Sequence, residues 1–144
     1  MDIFEKLVED HRSLEECFAE IEETTEEDAA LREQLFKQLQ ARLEAHEMFE
    51  EELLYPEIDQ IPQMVSMIGD AYEEHAELES TAQDLAHTPV TDSDWTRRFH
   101  GLRQRIQEHV RMEENIFFPV ARAELDEARA EELARQLEDR RNQL

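Results

Sequence analysis

The chain has 144 residues and carries 38 acidic side chains against 15 basic ones, for a formal net charge of −23. This balance excludes nucleic-acid binding and attachment to anionic membranes, because both need clusters of lysine and arginine. The single cysteine, Cys17, excludes an internal disulfide, and no apolar run is long enough to cross a bilayer. Because the N-terminus also lacks a signal-peptide pattern, we expect a soluble, cytoplasmic protein.

The composition favours helices. The chain has only 2 glycines and 4 prolines, whereas glutamate, alanine, leucine and arginine abound. Its length is sufficient for one domain with a hydrophobic core. We therefore predict an all-α fold, and the hydrophobic periodicity predicts where the helices lie.

The first two helices are predicted from apolar residues at helical spacing. Helix one covers residues 2–23, and Thr25 begins a new helix cap after it. Helix two runs to about Tyr55, and Pro56 is expected to end it. The following residues, 56–62, form a connection with a proline at each end.

The third and fourth helices follow the same pattern, and their apolar stripes include Val65 and Ile116, respectively. Pro62 is suited to the first position of helix three, which extends to a turn over residues 87–94. Helix four begins near Trp95 and reaches at least Phe118, and Pro119 is expected to kink or end it. Four helices with short connections predict an antiparallel up-down four-helix bundle over residues 1–120.

The remaining segment, residues 121–144, is very polar. Its apolar positions are Leu125, Leu133 and Leu137, at a spacing that predicts a short fifth helix. We expect this C-terminal helix to pack on or beside the bundle.

The apolar stripes of the four long helices each contain a histidine. His46 is followed by Glu50 one helical turn later, and the same pair recurs in the second half of the chain as His109 and Glu113. The full set of polar residues on the stripes is His11, His46, Glu50, His75, His109 and Glu113. Helices one and two therefore resemble helices three and four as an internal repeat.

The spacing of the histidines also places them level in a bundle. Two residues of an antiparallel pair are level when the turn lies midway between them, and the successive midpoints fall near residues 28, 60 and 92. Each midpoint lies in or beside a predicted turn, so the four imidazoles are expected in one layer.

A carboxylate on a core stripe costs several kcal/mol unless a positive charge compensates it, and these stripes contain no lysine or arginine. A metal cation would supply that charge, and imidazole with carboxylate is a suitable ligand set. Two metals bridged by both carboxylates would each receive two nitrogens and two oxygens. Open positions for an oxo or hydroxo bridge or a small ligand favour iron, with manganese and zinc as alternatives.

The pattern of a single His, then His-x-x-x-Glu, a single His, then His-x-x-x-Glu resembles the hemerythrin-like (HHE cation-binding) family. The resemblance implies a four-helix bundle with a non-haem di-iron centre, in which Glu50 and Glu113 bridge. Two positions depart from the oxygen-carrying members of that family. Glu79 stands where they have a second helix-three histidine, and their helix-four carboxylate aligns with Glu114, although the apolar stripe favours Glu113.

Three functions stay open at this point. The first is a di-iron protein that binds or senses O2 or NO, or that handles iron. The second is an enzyme that consumes peroxide or reduces O2 at the same centre, and the third is a metal-free acidic bundle that meets a protein partner or forms a homodimer. Ligation by Glu79 or by Tyr72, one turn before His75, is an additional option.

Overall fold

The computed structural model describes all 144 residues, and its regular structure is entirely helical. The α-helices in chain order are α1 (Ile3–Glu22), α2 (Ala29–Phe49), α3 (Tyr55–Ile58), α4 (Pro62–Ala86), α5 (Ser93–Met112), α6 (Phe118–Glu124) and α7 (Glu127–Gln143). Two π-helical segments, Glu50–Leu54 and Glu113–Phe117, join α2 to α3 and α5 to α6. The predicted all-α bundle with a C-terminal helix is confirmed. No helix combines the length and apolarity of a membrane span.

Side-chain caps fix where the bundle helices begin. The Asp2 carboxylate accepts from the backbone N–H of Glu5 at 2.9 Å, before α1. Thr25 and Asp28 form a capping box around the short 3-10 turn that leads into α2. Asp92 caps α5, and Pro62 occupies the first turn of α4 as predicted.

Two apolar clusters form the core, one toward each end of the bundle. The Phe4 cluster includes Ile3, Phe4, Leu7, Phe49, Leu54, Tyr55, Met64, Ile68, Phe117, Phe118 and Leu137. The Trp95 cluster includes Leu14, Phe18, Ile21, Leu35, Leu39, Leu78, Leu85, Trp95, Phe99 and Ile106. The start of α1, the end of α2 and the start of α4 all join the Phe4 cluster, so successive helices run antiparallel. On every bundle helix, the predicted histidine lies between the two clusters.

The prolines at positions 56 and 119 do not end their helices, so the prediction that Pro56 ends helix two is wrong. Each follows a π-helical segment and lies in the first turn of a short α-helix. The backbone N–H of Tyr55 bonds to the carbonyl of Glu50, and Phe118 bonds likewise to Glu113. This wider turn relieves the clash between a proline ring and the preceding carbonyls, and the helix continues.

The π-helical segments also change which residues face the core. The apolar stripe of helix four predicts a buried Ile116, but this side chain is 54 % exposed, whereas Phe117 is fully buried. A π turn holds about one more residue than an α turn, so the inward face moves by one position. On α4, Met64 is buried in place of the expected Val65 because Met64 is in register with Ile68 and Ala71.

The C-terminal helix α7 packs on α1 and on the first π-helical segment. The sequence expectation placed this helix from residue 121, but α6 continues to Glu124 and α7 begins at Glu127. Ala130, Leu133 and Leu137 join the Phe4 cluster, and arginines on the flank of α7 form ion pairs with the bundle.

Candidate metal centre

The structure brings all six predicted side chains into one buried layer of the bundle. Their exposed fractions are 5 % for His11, 2 % for His46, 0 % for Glu50, 3 % for His75, 4 % for His109 and 1 % for Glu113. Each histidine lies on a different bundle helix, and each glutamate begins a π-helical segment. Because α-helical geometry holds through His46 and His109, each glutamate lies one turn beyond its histidine on the inward face.

The six side chains divide into two groups that share one carboxylate. Donor atoms of Glu50, His75, His109 and Glu113 lie within 4.8 Å of one another, and so do those of His11, His46 and Glu113. Each group has the size and composition of a site for one cation. Glu113 belongs to both groups, which is the position that a bridging carboxylate occupies.

The contacts inside the layer converge on one oxygen of each glutamate. Glu113 Oε1 lies 3.0 Å from Nε2 of His11, 3.2 Å from Nε2 of His109 and 3.6 Å from Nε2 of His46. Glu50 Oε1 lies 3.1 Å from Nε2 of His46 and 3.3 Å from Nε2 of His75. All four imidazoles therefore direct Nε2 into the layer.

Several of these buried atoms make no hydrogen bond, because the close contacts between the carboxylates and imidazoles lack hydrogen-bonding geometry. They are both oxygens of Glu50, Oε2 of Glu113, and Nε2 of His75 and His109. Buried polar atoms without partners cost about 1–3 kcal/mol each, so proteins rarely leave them in a group. A cation between the carboxylates and imidazoles would satisfy all of them at once, and the residues present fit a pair of metal ions.

Two carboxylates outside the layer, which we call outer carboxylates, contact Nδ1, the second ring nitrogen, of two imidazoles. Asp10 Oδ2 lies 3.2 Å from Nδ1 of His46, and Glu74 Oε1 lies 2.8 Å from Nδ1 of His109. Asp10 directly precedes His11 and Glu74 directly precedes His75, so the two carboxylates are equivalent in the repeat. A carboxylate on Nδ1 fixes the imidazole with Nε2 free to bind metal.

A second pair of outer carboxylates, Glu51 and Glu114, directly follows Glu50 and Glu113 in the sequence. Glu114 Oε2 lies 2.7 Å from Nδ1 of His11, and its repeat equivalent Glu51 lies 3.7 Å from Nδ1 of His75. Glu114 therefore contacts the outer side of His11 and lies outside both inner groups. Glu113, and not Glu114, is therefore the helix-four carboxylate that joins both inner groups.

The dense packing of carboxylates changes the acidity of the imidazoles. Burial by itself lowers the pKa of His109, but Glu113 and Glu74 on its two ring nitrogens raise it to about 10. The pKa of His46 is raised well above its ordinary value by Glu50 and Asp10 despite burial. Burial opposes ionisation of Glu113, yet contacts with the imidazoles of His109, His11 and His46 hold its pKa well below the usual range. In the absence of metal these shifts favour the imidazolium form of His46 and His109 beside the carboxylates.

The C-terminal helix reaches this layer through one arginine. Arg141 on α7 donates from Nη2 to Asp10 Oδ1 at 2.7 Å, and its guanidinium lies 5.1 Å from the ring centre of Phe49. The other oxygen of Asp10 contacts His46, so a continuous polar chain runs from α7 to one imidazole. His46 and Arg141 together hold the pKa of Asp10 below its ordinary value against the effect of burial.

Replacing Arg141 by glutamine should weaken metal binding on the His46 side, because Asp10 loses the partner that orients it. Removing a group that contacts the outer nitrogen of a metal ligand typically costs about 10–100-fold in affinity. Arg141 acts one step further out, through Asp10, so we expect a decrease of at most about tenfold. Competition with a chelator measures the change. Arg140→Gln is the matched control, since neighbouring Arg140 pairs with the exposed Glu52. Equal affinities for the two variants would contradict the role of Arg141.

Aromatic rings cover the layer on the side of the Phe4 cluster. The ring of Tyr55 stacks on His75 with centroids 6.1 Å apart, and Phe118 stacks on His11 at 5.8 Å. Tyr55 and Phe118 each precede a proline at equivalent positions of the repeat, but only Tyr55 has a hydroxyl. That hydroxyl is buried without a hydrogen-bond partner, and burial with the Glu50 and Glu113 carboxylates raises its pKa.

Because the Tyr55 hydroxyl has no partner in the protein, Tyr55→Phe should leave the metal-free protein as stable as the parent, or more stable by up to about 1 kcal/mol. Urea unfolding of the metal-free chain measures this change. Phe118→Tyr is the complementary variant and should be destabilising, because it adds a buried hydroxyl at a packed site. A clear loss of stability in Tyr55→Phe would show that the hydroxyl has a partner.

The optional ligands considered from the sequence lie outside the two groups. Glu79 is exposed, and Tyr72 is 43 % exposed with its ring edge against Tyr55. Sequence reasoning missed Glu47, which is only 6 % exposed and has an oxygen without a partner. Burial raises its pKa to about 7, although His75 and His46 lower it. Glu47 lies beside the stripe in an acidic run, so no periodicity distinguishes it.

Comparisons with known proteins agree with this architecture. The family model described as "Hemerythrin HHE cation binding domain" matches residues 2–121. A crystal structure of a hemerythrin HHE cation binding domain-containing protein from Mycobacterium kansasii has the same fold, with a TM-score of 0.86 and 22 % sequence identity over 99 % of this chain and 86 % of the other. No curated protein matches the sequence. The match of the family model to most of the chain confirms the resemblance, and the protein belongs to the hemerythrin HHE cation-binding domain family.

Proposed function

We propose that this protein is a non-haem di-iron protein that binds or senses O2 or NO, or that handles iron. The observation that supports it best is the buried layer of four imidazoles and two carboxylates in two groups that share Glu113. The layer has no buried lysine or arginine to compensate its carboxylates. Imidazole with carboxylate, and positions left open for a further ligand, is a set that suits iron.

The residues of each group have distinct roles in this proposal. His11 and His46 would hold one ion, and His75 and His109 the other, with Glu113 and Glu50 between them. Asp10, Glu74 and Glu114 keep three of the imidazoles in the orientation that exposes Nε2. A pair of iron ions, when bound, would supply redox chemistry and a place for a small ligand.

The packing around the layer favours a ligand of very few atoms. Apolar clusters lie on both sides of the layer, and the six side chains are at most 5 % exposed. Tyr55 and Phe118 cover two of the imidazoles on the same side. We infer that diatomic gases and peroxide fit this space, and that larger substrates are excluded unless the helices separate.

Metal analysis together with an optical spectrum of the purified protein tests the proposal. We expect about two iron ions per chain and near-ultraviolet bands of a bridged pair. Zinc in place of iron would retain the ligand set and contradict the redox role. A folded protein that takes up no metal after reconstitution would contradict the proposal as a whole.

Ligand tests on the iron-loaded protein then separate binding from catalysis. Reversible spectral changes with O2 or NO would support a binding or sensing role. Sustained consumption of peroxide under saturating conditions would instead identify an enzyme that works at the same centre. Comparing both in one preparation prevents differences in iron content from being read as differences in function.

A further inference from the structure

A surface cavity of about 320 Å³ lies between α1 and α5, outside the layer of six side chains that forms the candidate metal centre. Leu14, Ile106 and Val110 form its apolar wall. Its polar lining includes His11 and Glu114, which contact each other through the 2.7 Å hydrogen bond at Nδ1. The cavity therefore adjoins one candidate metal ligand together with the carboxylate that contacts its Nδ1.

The charged residues of this cavity are unusual for so acidic a protein. Arg12 and Arg111 are exposed residues that both line it, and neither guanidinium group has an ion pair or a hydrogen bond. Of the thirteen arginines in the chain, the other eleven all have such a partner. The two arginines without partners thus occur together, in a chain where acidic side chains outnumber basic ones 38 to 15.

The carboxylates of the cavity are already engaged elsewhere. Glu15 forms an ion pair with Arg103, which also holds Glu22. Glu114 is held by His11. The free charge that the cavity offers to an incoming molecule is therefore positive and consists of two guanidinium groups.

Guanidinium groups recognise carboxylates through paired, charge-assisted hydrogen bonds. The apolar wall adds a surface suited to hydrocarbon, and the cavity volume is at the small end of the range for ligand pockets. We propose that this cavity binds a small organic carboxylate, with the charged group at Arg12 and Arg111 and the apolar part against Leu14, Ile106 and Val110. The bound molecule would lie beside Glu114 and His11 and outside the metal layer.

Calorimetric titration of the full-length protein with benzoate tests this site. Benzoate carries both the charge and the apolar body, benzamide has the same shape without the charge, and acetate has the charge without the body. We expect benzoate to bind several-fold more tightly than acetate, benzamide to show no binding, and the affinity to fall as ionic strength rises.

Variants locate the site. Arg12→Gln and Arg111→Gln should each weaken benzoate binding about tenfold, which corresponds to one charge-assisted hydrogen bond. Arg135→Gln on α7 is the control for net charge, because Arg135 is exposed and pairs only with Glu132 on the same helix. The Arg135→Gln variant should bind benzoate with the same affinity as the parent protein.

Three results would overturn the inference: no heat of binding with benzoate up to tens of millimolar, equal binding of benzamide, or equal effects of Arg12→Gln and Arg135→Gln. Repeating the titration after treatment with a chelator separates this site from the proposed metal centre. The cavity does not use the metal, so benzoate should bind in both forms. The carboxylate site can therefore fail while the metal centre stands, and the reverse also holds.

Discussion

Replacing Glu113 by alanine is expected to reduce the bound metal from about two ions per chain to one or none. Glu113 belongs to both donor groups, and its Oε1 contacts the Nε2 atoms of three imidazoles. Removing it takes an anionic oxygen from each site and leaves imidazoles facing each other, so neither site keeps its charge balance. Metal analysis by mass spectrometry after dialysis measures the loss.

Two further variants make this result interpretable. Glu79→Ala removes the same atoms from an exposed position of α4 and should keep both ions. Glu113→Gln keeps the volume of the side chain and removes only its charge. If this variant also loses metal, the cause is the missing charge and not a change in packing. If Glu113→Ala folds with a normal helical spectrum and still holds two ions, the shared position of Glu113 has no role in binding.

The metal-free protein is expected to lose stability as pH rises from 7 to 9. In the folded protein the pKa of His109 is about 10, raised from an ordinary 6.5 by Glu113 and Glu74 despite burial. The contribution of this imidazolium is complete below about pH 6.5 and is lost as pH rises through 10, because only the folded state binds the proton in between. One such proton changes the free energy of unfolding by about 1.4 kcal/mol per pH unit, so roughly 3 kcal/mol is lost over this range.

Other groups of the layer shift stability in the same direction. The pKa values of His46 and His75 are also raised, in each case by Glu50 against the effect of burial. Urea unfolding of the metal-free protein at pH 7, 8 and 9 measures the slope. Metal binding should release protons and remove most of this dependence, since coordinated imidazoles are neutral. A metal-free protein equally stable at pH 7 and 9 would contradict the charge assignment.

The inward-facing part of the centre was predictable because it follows helical periodicity. His46 and Glu50 share a face one turn apart, and the repeat placed His109 and Glu113 in the equivalent position. The structure brings the four histidines into one layer, which the midpoint argument predicted. Whether these side chains bind metal stays a prediction that the variants above test.

The π-helical segments were not predictable from the sequence. They break the 3.6-residue period that defines the stripes, and an unbroken period wrongly predicts a buried Ile116. The rule that proline ends a helix wrongly predicts an end at Pro56, because a π turn precedes that proline. A hydrogen bond from the N–H of residue i+5 to the carbonyl of residue i has no marker in composition or spacing. The error is local because the α-helical spacing resumes after each segment.

The outer carboxylates escaped prediction for a different reason. Asp10, Glu74 and Glu114 flank the stripes, where an acidic residue ordinarily faces water, and the chain has many such residues. Their role depends on which neighbouring helix lies opposite, and only the packed structure gives that information. The same holds for Arg141, whose partner Asp10 lies near the opposite end of the chain.

The two π-helical segments occupy equivalent positions in the two halves of the chain, each beginning at the glutamate of a His-x-x-x-Glu pair. Each can be described as an α-helix with one residue inserted after the inner carboxylate. The backbone of the two halves is therefore equivalent at the layer, and the asymmetry of the site comes from its side chains. Tyr55 stacks on His75 and Phe118 stacks on His11, so a single hydroxyl makes the surroundings of these two imidazoles unequal.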